Sequence, residues 1–250
     1  TALDLGVTYF DTAKLDGDSE EKIGVALKGV RDKCVIATKT GLRTKRESLQ
    51  DLKESLLRLQ TDRLDIIQLH GIDDEATLRK AMGEDGALQT CKQARREGLA
   101  DFIGITSHKP RVLVKAIETG EFDSVLVPLN VVTRQALEEL VPTAKKHDVG
   151  VVVMKPFSAK TSRLITCLHK PSLSLLCDEP ELQALLGQTP DVMAQSALRF
   201  VLSQDISTVV AGVKSVHEAE VAANVGNQYI GLTIEEQKRF AANLGSYCRD

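Results

Sequence analysis

The feature that most constrains this chain is an alternation. Short apolar runs take turns with segments of helical periodicity along most of its length. The runs are Val7-Thr-Tyr-Phe10, Cys34-Val-Ile-Ala37, Leu64-Asp-Ile-Ile-Gln-Leu69, Phe102-Ile-Gly-Ile105, Ser124-Val-Leu-Val127, Val149 to Met154 and Thr208-Val-Val-Ala211. Helical patterns fall over about 19–28, 46–60, 87–97, 110–119, 133–147, 191–203, 216–224 and 233–244. In the second of these, Leu49, Leu52, Leu56 and Leu59 recur at helical spacing. Strands that are apolar on both faces belong to a sheet covered on both sides, and parallel neighbours need crossover helices. The sequence therefore predicts an α/β protein with a parallel sheet wrapped by helices. The runs make seven strand–helix units, and a closed (β/α)8 TIM barrel needs one more. The chain opens on Thr-Ala-Leu-Asp-Leu-Gly, a helix end stopped by Gly6. The expectation is a barrel that lacks its N-terminal hairpin and first strand in this chain. An open doubly wound sheet is the alternative. It is disfavoured because no GxGxxG follows the first strand, and polar residues end many successive strands rather than one switch point.

A length of 250 residues suits a single domain over 1–250. Residues 158–190, punctuated by Pro171, Pro180 and Pro190, read as a long loop over the barrel mouth. Lys plus Arg total 32 against 35 Asp plus Glu, a net charge of −3. That balance argues against a surface built for nucleic acid or for an anionic membrane. No apolar run approaches the ~20 residues of a spanning helix, and no signal peptide is expected. Cys34, Cys91, Cys167, Cys177 and Cys248 are scattered, without a CxxC pair. Reduced thiols and a cytoplasmic location are the expectation, with no metal site. Oligomeric state leaves no trace in the sequence.

In a parallel barrel the active site lies at the carboxyl ends of the strands. Those ends carry Asp11, Lys39, His70, Ser107-His108, Asn130, Lys155 and Gly212 to Ser215. A buried Lys–Asp pair can tune a neighbouring acid, and a histidine can hydrogen-bond a carbonyl. Any one of these residues alone reads as a satisfied polar strand terminus. Asp11, Lys39 and His70 on adjacent strands read together as a site.

These segments resemble the aldo-keto reductase family. The likeness rests on Tyr9-Phe-Asp-Thr-Ala13, Ser19-Glu-Glu-Lys-Ile-Gly24, Ile36-Ala-Thr-Lys39, Leu56-Leu-Arg-Leu59, Thr61-Asp-Arg-Leu-Asp65 and Gln68-Leu-His70. It continues through Arg96-Glu-Gly98, Ile103-Gly-Ile-Thr-Ser107-His108, Val151-Val-Val-Met-Lys-Pro156, Leu198-Arg-Phe-Val-Leu202 and Ser207-Thr-Val-Val210. Leu69-His70-Gly71 and the VVVM run are most similar to a prokaryotic branch whose members sometimes carry an iron–sulfur domain. No cysteine cluster supports such a domain here. The resemblance implies a (β/α)8 barrel and hydride transfer between NAD(P)H and an aldehyde or ketone, or the reverse from an alcohol. It implies a small-molecule partner and NADP or NAD as cofactor. It also implies that Asp11, Lys39 and His70 match three members of the family's Asp, Tyr, Lys and His set.

The tyrosine is missing. The family reads Asp-Thr-Ala-x-x-Tyr, and here Asp11-Thr-Ala-Lys-Leu is followed by Asp16. A carboxyl of ordinary pKa, about 3.9, is ionised at neutral pH, and a nearby lysine favours its anion further. An anion cannot give a proton to a new alkoxide, and losing a general acid typically costs ~10²–10⁴-fold. If the loop turns Asp16 to solvent, His70 or a water held by Lys39 could deliver the proton. The family's Ser-Asn pair on the nicotinamide amide becomes Ser107-His108, and its glutamine becomes Leu126. By the same resemblance Asn130, Met154 and Lys155 lie at the nicotinamide end. Gly212, Lys214 and Ser215 match the phosphate site, Glu220 stands where an arginine often grips the 2′-phosphate, and Asn224 meets the adenine. The rival reading is a barrel that binds cofactor or ligand with little or no turnover, as a sensor or partner subunit. An unrelated lyase or isomerase using Lys39 and Asp11 is a third.

Overall fold

The computed structural model describes residues 1–157 and 189–244. Each apolar run becomes a strand: β1 (Tyr9–Asp11), β2 (Val35–Thr40), β3 (Leu64–Leu69), β4 (Ala100–Thr106), β5 (Ser124–Pro128), β6 (Gly150–Met154) and β7 (Thr208–Val210). Sheet order follows sequence order from β1 to β7. The helices between them are α1 (Ser19–Ala26), α2 (Lys45–Arg58), α3 (Glu75–Met82), α4 (Ala87–Arg96), α5 (Pro110–Ile117), α6 (Leu140–Lys146), α7 (Pro190–Leu202), α8 (Val216–Asn227) and α9 (Ile234–Leu244). The chain divides into two compact units, one made of Thr8–Val127 with Glu139–Val151, the other of Thr1–Val7, Pro128–Glu138 and the chain from Val152 onward. The long loop expected over 158–190 lies outside the described residues except at its last two positions.

The first unit is a run of parallel strands in which Asp11 faces Ala37, Lys39 faces Gln68, Gln68 faces Gly104 and Thr106 faces Leu126. Its core is aliphatic: Ile36, Ile67, Leu69, Ile103, Ile105, Leu113 and Ile117 are all fully buried. Helix starts follow local chemistry. Thr44 caps α2, accepting from the Glu47 backbone N–H while its hydroxyl donates to the Glu47 carboxylate. Asp74 caps α3, its carboxylate accepting from the Thr77 backbone N–H and hydroxyl, and Pro110 opens α5, where its missing N–H is not needed. In the second unit β6 pairs in parallel with β7, Thr189 caps α7 and Ser215 caps α8. The turn at Leu3–Leu5 is tied to α8 by the Asn227 amide, which donates to the Leu5 carbonyl.

Two helix expectations change. The sequence pattern misses α3, a helix of only eight residues that buries just Leu78 and Ala81. The pattern over 133–147 breaks into a 3-10 turn at Gln135–Leu137 followed by α6, and just before it the Asn130 side chain accepts from the backbone N–H groups of Val132 and Thr133 and delays the helix start. Among the described residues no helix is long and apolar enough to cross a membrane.

Candidate active site

β1, β2 and β3 lie side by side, and their ends bring the expected polar residues together. The Lys39 ammonium donates to Asp11 Oδ2 at 2.6 Å and to the Thr12 carbonyl at 2.7 Å. Lys39 is only 5% exposed, so its charge is removed from water and must be met by protein. The second oxygen of Asp11 accepts from the Gln68 amide at 3.1 Å. Burial pushes the Asp11 carboxyl above its ordinary range, while Lys39 and then Gln68 hold it back.

His70 follows β3 in a turn fixed from several sides. Its backbone N–H donates to the Thr40 carbonyl at 3.0 Å, and the next N–H donates to the Thr106 hydroxyl at 2.8 Å. Arg43 clamps the same turn, donating to the carbonyls of His70 at 2.7 Å and Gly71 at 3.1 Å. Gly71 sits at φ +62°, where a side chain would be strained. Burial, and next the positive charge of Lys39, push the His70 imidazole down from 6.5 to about 4. The ring is neutral at pH 7, so it carries one N–H donor and one acceptor nitrogen.

Asp16 lies exposed in the loop between β1 and α1. Its negative charge is felt at both Asp11 and His70, which places it beside the cluster. Lys14 anchors this loop to α2. It donates to Asp51 at 2.6 Å and pairs with Glu54, while Asp51 also accepts from the Thr40 hydroxyl at 2.8 Å. Tyr9 is no substitute acid: burial, then Asp11 and Asp65, raise its phenol further above its ordinary pKa of 10.0.

Ser107 and His108 follow β4 and share a partner that the sequence did not reveal. Asp73 accepts from the Ser107 hydroxyl at 2.9 Å and from the His108 backbone N–H at 2.6 Å, and its other oxygen lies 3.0 Å from His108 Nδ1. Burial raises the Asp73 carboxyl, but the bonds from His108 and Ser107 outweigh it and hold the group below its ordinary range. Leu126, in β5, is 2% exposed, and its carbonyl accepts from the Ser107 N–H.

The remaining expected cofactor residues belong to the second unit. Asn130 spends its amide on structure, donating to the Lys155 carbonyl at 3.1 Å while its oxygen takes two backbone N–H groups. Met154 ends β6, and Lys155 follows with φ +58°. Gly212, Lys214, Ser215, Glu220 and Asn224 are exposed. Ser215 accepts from the Glu218 N–H at 3.1 Å, and the Glu218 carboxylate accepts from the Lys214 N–H at 2.7 Å.

The family model described as the aldo/keto reductase family matches residues 1–242. The chain belongs to the aldo/keto reductase family. Its fold class is accordingly the family's (β/α)8 barrel, seven of whose parallel strands are seen among the described residues. It is 28% identical to the oxidoreductase YqkF of Bacillus subtilis (strain 168), over 95% of this chain and 83% of that one. Among solved structures it is similar to the aldo-keto reductase AKR11C1 from Bacillus halodurans in its holo form. That match has a TM-score of 0.74 at 27% identity and covers 97% of this chain and 83% of that chain. An aldo-keto reductase from Klebsiella pneumoniae, in complex with NADPH, shares the fold with a TM-score of 0.74 at 22% identity, over 96% of this chain and 81% of that chain.

Proposed function

We propose that this aldo/keto reductase family member is an NAD(P)-dependent oxidoreductase acting on a small aldehyde, ketone or alcohol, with Asp16 in the place of the usual tyrosine. The observation that carries this reading is the buried Lys39–Asp11 pair next to a neutral His70. When bound, the nicotinamide supplies or accepts the hydride. His70 orients the carbonyl by donating its one N–H to the oxygen. Lys39 stabilises negative charge that builds on that oxygen, a term that is usually large in a dry site. Asp16 gives no proton as an anion, so the proton reaches the alkoxide from solvent, passed on by a water held by Lys39 that is reprotonated in the same relay. Turnover is accordingly slow for the family, and it is faster wherever a better acid is supplied.

The residues fit a dinucleotide in part. Lys214 and Ser215 stand at the N-terminus of α8, where backbone N–H groups favour phosphate. Ser107 and His108 remain candidates for the amide, with Asp73 setting their orientation. Met154, Asn130, Lys155, Gly212 and Asn224 are carried as contacts by resemblance alone. Glu220 places a carboxylate where a 2′-phosphate would sit, which favours NAD over NADP. Exchanging it in Glu220→Arg is expected to shift the ratio of dissociation constants towards NADPH. No change in that ratio removes Glu220 from the cofactor site.

Three departures from the family pattern, Asp16, Leu126 and Glu220, favour a second reading: a cytoplasmic barrel that binds cofactor without turnover, as a sensor or partner subunit. Fluorescence titration of NADH and NADPH, followed by turnover of a small aldehyde panel, separates the two. Binding with slow, saturable turnover supports the first reading. Binding without turnover supports the second, and an absence of binding rejects both.

A further inference from the structure

The pair of Lys39 and Asp11 is held by a third residue. Gln68 lies on β3, opposite Lys39 on one side and Gly104 on the other. Asp11 is on β1, so the Gln68 side chain reaches across β2 to meet it at 3.1 Å. Two strand spacings come to about 10 Å, so the contact needs a long side chain on β3 as well as the reach of Asp11 itself. A carboxylate only accepts hydrogen bonds, so the amide nitrogen must face Asp11 and the amide oxygen must face away. Gly104 makes room for this pose. A Cβ there would stand 2.9 Å from Gln68 Cγ and 2.7 Å from the Ser124 hydroxyl oxygen. Gln68 is itself only 1% exposed and has a polar end in the interior, which an apolar residue of equal size would fill without needing a partner.

We propose that Gln68 is a positioning residue for the Lys39–Asp11 pair: admitted by Gly104, its amide takes one oxygen of Asp11 and turns the other onto the Lys39 ammonium. With both oxygens committed, the carboxylate cannot rotate, and the ammonium it holds stays fixed at the strand ends. The groups facing Asp11 are Lys39 from β2, Asp16 from the following loop, Tyr9 from its own strand and the uncharged Gln68 from β3. Of these, Lys39 and Gln68 favour the anion.

The proposal rests on the functional reading of Asp11 and Lys39, but its test does not need turnover. The Asp11 carboxyl is titrated by carbon NMR in the whole chain, without nucleotide or carbonyl compound, in the wild type, Gln68→Met and Gly104→Ala. Gln68→Met keeps the length and removes the donor. Its Asp11 midpoint is expected to rise by about half a pH unit or more, as loss of one hydrogen bond to the anion requires. Gly104→Ala leaves Gln68 in the sequence but crowds it, and is expected to move the midpoint in the same direction by less. A purely structural glutamine lowers stability in both variants and leaves the midpoint where it was, which overturns the proposal. If Gln68→Met does not fold, Gly104→Ala decides alone by the same criterion. An absence of turnover in the wild type rejects the enzymatic reading and leaves these midpoints interpretable. Where turnover is measured, the acid limb of the kcat profile moves upward with the midpoint while KM stays near the wild-type value.

Discussion

Asp11 and Asp16 are two carboxylates on one short stretch of chain, and they meet opposite surroundings. Asp11 ends a strand, is largely withdrawn from water, and has both oxygens engaged by Lys39 and Gln68. Asp16 sits in an exposed loop whose anchoring is done by its neighbour Lys14. One is bound into the fold and the other is not. Lys39 and Gln68 hold the Asp11 carboxylate against its burial, so substitution there disturbs stability and chemistry together. Nothing in the packing demands a carboxylate at Asp16, so substitution there reports on chemistry nearly alone.

The largest break in that contrast is Lys39→Met. It leaves the Asp11 carboxylate buried without its cation, and removal of one partner of a buried pair costs about 3–5 kcal/mol. Denaturant unfolding is expected to show that loss, and Asp11→Asn in the same chain is expected to return part of it. A smaller effect tests His70. Its folded pKa of about 4 lies below the ordinary 6.5. The unfolded chain therefore takes up this proton first as pH falls, so the His70 contribution is constant above about 6.5 and turns against the fold between there and 4. The stability difference between wild type and His70→Asn, followed against pH, is expected to slope only in that window. A difference that stays level across it contradicts a neutral imidazole. The smallest effect belongs to Lys14→Met. Its side chain is 20% exposed and meets buried Asp51, which keeps its bond from the Thr40 hydroxyl, and the more exposed Glu54, so about 1–2 kcal/mol is expected from unfolding. A larger loss means that the Asp16 loop is bound into the fold after all, and the contrast with Asp11 narrows.

Much of this arrangement was legible in the sequence, for a physical reason. Strands apolar on both faces announce a covered parallel sheet, and a polar, titratable residue ending such a strand stands out against the run before it. Asp11, Lys39 and His70 are of that kind, and the structure brings the first two into direct contact. Gln68 was not legible as a partner of Asp11, because it lies inside an apolar run and its contact passes over the strand between them. Asp73 was hidden in the acidic run Asp73-Asp74-Glu75, where nothing in the pattern tells which carboxylate turns inward. Asp74 does cap α3, while Asp73 turns to Ser107 and His108. Glu20 was hidden too: beside Glu21 and Lys22 at the start of α1 it is 0% exposed and accepts from the Thr38 hydroxyl at 2.6 Å. Side chains that look outward in a one-dimensional pattern were thus the hardest to read, since only the neighbouring element decides which way they turn.

The central claim is that the Lys39, Asp11 and His70 set is intact while the acid's position holds a residue that cannot donate. The most direct measurement is the kcat for aldehyde reduction by wild type and Asp16→Tyr at neutral pH, with unfolding free energies taken alongside. The account predicts a rise of about ten-fold or more, inside the range of general-acid catalysis, with stability unchanged within about 0.5 kcal/mol. An equal or lower rate in a variant that is equally stable contradicts it, because Asp16 would then not occupy the acid's position.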